Sequence, residues 1–134
     1  MRRTVSVSPL SVTLLRVMLS GIFLVAGGNH LLNTEATVAR MHHASLKNFA
    51  LYFGEPEWLV ILSGVTMLVA GLGLLSGFLS RYAALVLLAV LIPITITVQI
   101  GQVTTLGPLF KNVAISGGLL FFIINNFPSP NLIR

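Results

Sequence analysis

Residues 58–80, WLVILSGVTMLVAGLGLLSGFLS, run from Glu57 to Arg81 without a charge. Coiled as an α-helix, at about 1.5 Å per residue, this stretch outspans the hydrocarbon core of a bilayer, roughly 30 Å thick. Three further uncharged stretches are long enough, or nearly so, to do the same: residues 17–34 between Arg16 and Glu35, residues 82–110 between Arg81 and Lys111, and residues 112–133 between Lys111 and Arg134. Four such stretches in one chain predict an all-α polytopic membrane protein, an antiparallel bundle of four transmembrane helices.

Composition supports that class and excludes others. Only 8% of the 134 residues are charged and 55% are hydrophobic, against about 25% charged in soluble domains. The net charge of +5 does not indicate nucleic acid, because the basic residues stand singly between apolar spans and form no cluster or stripe. The chain has no cysteine, so disulfides, thiolate zinc and cysteine-held iron–sulfur clusters are excluded. It has no aspartate, hence no Ser–His–Asp set, and no phosphate loop or zinc motif is present. No catalytic residue and no metal ligand is assigned. His42 and His43, adjacent on a helix, would point about 100° apart, and spans two to four offer no histidine. The N-terminus resembles a signal peptide, but its apolar run is longer than an h-region and reads as an uncleaved first span.

The spans fall at about 9–32, 58–79, 82–103 and 108–126, one domain over residues 1–134. Ser8-Pro9 suits a helix start, with Ser as N-cap and Pro at the first helical position. Pro93 interrupts the backbone ladder of span three, with Thr95 or Thr97 placed to satisfy a freed carbonyl. In the one long loop, residues 34–57, Leu46, Phe49, Ala50 and Phe53 recur at helical spacing and predict a short helix lying in the interface. Gly21, Gly27, Gly64, Gly71, the Gly73/Gly77 pair and the Ala114/Gly118 pair mark faces where helices approach closely, within the chain or against another subunit. Arg2, Arg3, Arg16, Arg81 and Arg134 lie on the side of the N-terminus; Arg40, Lys47 and Lys111 lie opposite. This asymmetry predicts cytoplasmic N- and C-termini.

Three segments bear a family resemblance: GIFLVAGGNHLL at 21–32, SRYAAL at 80–85 and FKNVAISGGL at 110–119. In order and spacing the chain resembles the DoxX family of small four-helix bacterial membrane proteins, with His30 standing where the family more often has Lys. The resemblance implies the bacterial inner (cytoplasmic) membrane and association with respiratory, quinone-linked redox complexes, as a subunit that is non-catalytic by itself. Membrane lipids and other membrane-protein subunits are the implied partners. The alternative is an accessory or assembly subunit with no ligand of its own.

A polar set gathers at one depth, on the side opposite the N-terminus: Asn29 and His30 at the end of span one, Gln99 and Gln102 at the end of span three, Lys111 and Asn112 at the start of span four. Polar side chains in a span face the bundle or a wet cavity rather than lipid. Amide and imidazole groups would hydrogen-bond a quinone carbonyl, which makes these six the candidate quinone or polar-ligand pocket; they would equally serve to stitch helices together. Lys111 opposes the positive end of its helix dipole, and all three acids, Glu35, Glu55 and Glu57, lie on its side. Glu55 or Glu57, an anionic ligand or a lipid phosphate is its expected partner. Arg16, two turns into span one, has no acid on its side and is expected to snorkel to phosphates or cap carbonyls.

Overall fold

The computed structural model describes residues 4–101 and 103–127. Among them every regular element is helical: α1 Pro9–Leu32, α2 Thr34–His42, α3 Lys47–Leu51, α4 Pro56–Ser76, α5 Ser80–Gln99 and α6 Leu106–Ile124, with a short 3-10 turn, Val103–Thr105, before α6. Helices α1, α4, α5 and α6 are each long and apolar enough to cross a membrane. Their outward side chains, such as Leu14, Val25, Val69 and Val113, are exposed and take lipid as their solvent. The chain is a multi-pass membrane protein.

Local chemistry sets most helix ends. Pro9 and Pro56 open α1 and α4, where a missing N–H leaves no bond unmade. Ser8 is extended and its side chain makes no cap bond; instead its carbonyl accepts from Ser11 Oγ at 2.7 Å. α4 stops at Ser76 because Gly77 takes the left-handed conformation, φ 75°, which glycine adopts without steric cost. The chain then reverses within residues 77–79 into α5. At the other end of α1, Asn33 (φ −125°, ψ 47°) breaks the helix. α2 follows with Glu35 in its first turn and Arg40 and His42 in its last, each matching the sign of the helix dipole. The long loop therefore holds two short helices where the apolar spacing indicates one.

The transmembrane helices close in the order α1, α4, α5, α6. The α1–α4 seam is the most extensive, α5–α6 and α4–α5 follow, and α1–α6 touches least. Glycine makes the first seam possible. A Cβ on Gly27 would sit 2.8 Å from the Gly64 carbonyl oxygen, and a Cβ on Gly64 would sit 2.9 Å from His30 Cβ. Further along, Gly71 lies against Leu24, while Gly118 of α6 receives Leu19 of α1. Gly73 faces Ala83 inside the chain. The glycines at 27, 64, 71, 73 and 118 thus serve packing within the chain. Phe23, Leu74, Leu87, Leu119 and Phe122 fill the centre with almost no exposure.

Arg16 does not reach out of this core. It is 8% exposed, its guanidinium carbon lies 5.7 Å from the Phe122 ring centroid, and its Nε is buried without a hydrogen-bond partner. A guanidinium over an aromatic face is held by the ring quadrupole. Packing against Phe122 thus takes the place of the full snorkelling expected from its position.

The α1–α4 contact makes a specific prediction. Gly27→Ala drives a methyl group into a backbone oxygen, and such overpacking costs about 1–3 kcal/mol. Gly21→Ala, where an added Cβ meets nothing within 4 Å, gains helix propensity instead. Unfolding titrations in mixed detergent micelles, followed by circular dichroism, should show a loss for the first and none for the second. Equal behaviour of the two variants would refute the close contact.

Candidate functional site

A cavity of about 320 Å³ opens between α4 and α5 at the end of the bundle where α1 passes into α2. Thr37 and Met41 of α2, Ala50 of α3 and Phe53 just beyond it cover it. This is the role of the loop helices: they roof a gap that α4 and α5 leave between them. The volume lies at the lower end of the range of ligand pockets. The walls are almost wholly apolar, with Val60, Val90, Ile94 and Val98 among them.

A few polar groups converge on this apolar space. His30 enters from α1, Ser63 and Thr66 from α4, and Thr97, 2% exposed, from α5. His30 Nδ1 and Ser63 Oγ are 2.9 Å apart, and Ser63 Oγ donates to the Val60 carbonyl at 2.9 Å. Gly64 admits the imidazole to this place, because its missing side chain is what allows His30 Cβ to approach. On the opposite wall, Ala89 and Pro93 are both lining residues. Pro93 has no N–H to return to the carbonyl four residues earlier, so the Ala89 carbonyl is left without its helical donor. A shallower apolar groove of about 450 Å³ shares Thr66 and continues along the α4–α5 seam past Gly73 to Phe78 and Tyr82.

Of the six sequence-predicted residues, the five among the described residues are dispersed. Of these five, His30 alone lines the cavity. The Asn29 side chain is exposed and does not line it. Gln102 lies outside the described residues. Gln99, at the end of α5, has a buried Oε1 without a hydrogen-bond partner, and its backbone carbonyl accepts from Thr105 Oγ1 at 2.7 Å. Asn112 is 5% exposed and sits on the α5–α6 seam, where its Nδ2 donates to Thr95 Oγ1 at 2.9 Å. Thr95 Oγ1 in turn donates to the Leu91 carbonyl at 2.7 Å. Lys111 is exposed, and among the described residues it forms no ion pair with Glu55 or Glu57.

Ser63, Thr97, Pro93 and the α2 residues were not singled out as site residues by spacing. Thr97 and Pro93 did carry a signal, the break in the backbone ladder of span three. Ser63 carried one too, since Ser63-Gly64 echoes Ser20-Gly21 of α1. Their convergence with His30 depends on α4 lying between α1 and α5, which spacing along the chain does not reveal.

A four-span membrane bundle with a roofed, apolar cavity and one half-buried imidazole is the class that fold and site define. The DoxX family model matches residues 11–100, two thirds of the chain. The chain belongs to the DoxX family. The match spans α1 to α5, and the FKNVAISGGL segment at 110–119 falls beyond it. Comparison with curated proteins and with solved structures yields no match.

The Asn112–Thr95 bond gives a separable test of stitching against ligand binding. Asn112→Leu should cost about 1 kcal/mol, the net worth of a hydrogen bond. Thr95→Val combined with Asn112→Leu should recover part of it, because replacing both partners by apolar groups is nearly neutral. A double-mutant cycle from detergent unfolding measures the coupling; a coupling of zero would rule out the pair as a helix stitch.

Proposed function

We propose that this DoxX protein is a quinone-associated, non-catalytic subunit of a respiratory redox complex in the bacterial inner membrane, with both termini in the cytoplasm. In this reading the cavity under α2 and α3 takes the quinone ring. The groove along α4 and α5 takes its apolar tail. The observation that carries the proposal is the cavity itself: apolar walls, a single imidazole held by Ser63, and an apolar channel leading away along the lipid face. A ring with polar ends and a long hydrocarbon tail matches that division. Ligand sites of this kind combine apolar lining with a few placed polar groups. The excess of Lys and Arg on the side of the N-terminus supports the orientation.

A second reading is an accessory subunit that packs on a larger membrane protein without a ligand. It is favoured by Gly21 and Gly117, which are exposed and have open space around an added Cβ. Close helix approach through such small residues is a common mode of association in membranes.

Purification in mild detergent, followed by solvent extraction and quantification of quinone, separates the two. Near-stoichiometric quinone that is lost on His30→Leu and kept on Gln99→Leu is the expected result. Absence of quinone, with co-purification of a large complex that disappears on Gly21→Leu or Gly117→Leu, would replace the first reading by the second.

A further inference from the structure

The hydrogen-bond network around His30 fixes where its proton sits. Ser63 has one hydroxyl proton and two close neighbours, the Val60 carbonyl oxygen and His30 Nδ1, each at 2.9 Å. If Ser63 donated to Nδ1, two oxygens would face each other at 2.9 Å with no proton between them, an unfavourable contact for two acceptors. The proton therefore lies between Ser63 and Val60, and Nδ1–H donates to Ser63 Oγ. The Thr95 hydroxyl is used in the same way, its proton committed to a backbone carbonyl while it accepts from Asn112. This tautomer is assigned from the network. In a neutral imidazole with Nδ1–H, the other nitrogen, Nε2, is an acceptor.

The cavity then offers an acceptor at Nε2 of His30, which lines it. The Thr97 hydroxyl either donates or accepts and does not alter the balance. The Ser63 and Thr66 hydroxyl protons are already committed, to the Val60 and Leu62 carbonyls.

The geometry points to a site that selects the hydroxyl-bearing form of its ligand: a quinol, one of whose ring hydroxyls donates to His30 Nε2, over the corresponding quinone, which carries only acceptors. This selectivity rests on the reading of the cavity as a quinone-type site. It goes further by stating which redox form is held. An imidazole acceptor set against a quinone carbonyl would leave both without a proton to share, which is costlier than never forming the bond. The protein would hold the reduced carrier and release the oxidised one.

The test uses the purified full chain in nanodiscs and two soluble-tail probes, decylubiquinone and decylubiquinol, under anaerobic conditions with binding measured by calorimetry. The quinol should bind about tenfold more tightly than the quinone, the equivalent of one hydrogen bond. His30→Lys replaces an acceptor by a group that only donates and should invert the preference. Should that variant unfold, Ser63→Ala serves in its place: it frees the imidazole to change tautomer and should narrow the quinol preference while leaving binding of both probes measurable. Quinone bound as tightly as quinol, or a preference unmoved in both variants, overturns the selectivity and leaves the quinone reading intact. Neither probe binding overturns the quinone reading itself and the selectivity with it.

Discussion

The close approach of α1 and α4 is the constraint on which the rest of this structure depends. It exists because Gly27 and Gly64 oppose each other with no side chain between the backbones. In lipid, helices gain little from burying apolar surface against each other, so close packing must supply the association. That contact decides the depth of His30 relative to Ser63, one residue before Gly64. A bulkier residue at position 64 would separate the imidazole from its serine and disturb the seam together.

Two polar contacts between helices follow one pattern. A hydroxyl gives its proton to a carbonyl of the preceding turn and receives a donor from a neighbouring helix, as Ser63 does for His30 and Thr95 for Asn112. The arrangement uses both hydroxyl protons and ties two helices at one point. Bonds of this kind in membranes are worth modest amounts each, yet they fix orientation, and orientation is what a ligand meets. Ser80 Oγ, Gln99 Oε1 and Arg16 Nε depart from the pattern, each buried without a hydrogen-bond partner. Arg16 lies in the core against Phe122, stabilised by an aromatic face instead of an acid.

Much of the fold was legible in the chain. Charge spacing marks the four membrane helices because a charge at mid-bilayer is expensive, and Pro9 sits where α1 starts, while α4 starts at Pro56, two residues before the expected 58. Of the glycines echoed between spans one and two, Gly27, Gly64 and Gly71 lie on the faces that pack, and Gly21 does not. The site was legible only at His30. Grouping Asn29, Gln99, Lys111 and Asn112 with it rested on shared depth, and depth says nothing of azimuth around the helix axis. Asn29 and His30 are adjacent in sequence, about 100° apart on the helix, and only one of them lines the cavity. Asn112 and Thr97 lie on seams at different sides of α5.

The sequence by itself determined that the chain crosses the membrane four times, because hydrophobic length and the position of charges are properties of the linear chain. It determined the loop's helical content in part, through the spacing of Leu46, Phe49, Ala50 and Phe53. Only the tertiary structure decided that α2 and α3 roof a cavity, that His30 Nδ1 meets Ser63 Oγ there and that Ala89 and Pro93 line the same space. Those outcomes depend on which helix faces which, and rotation about a helix axis is settled by packing between glycines, not by composition along the chain.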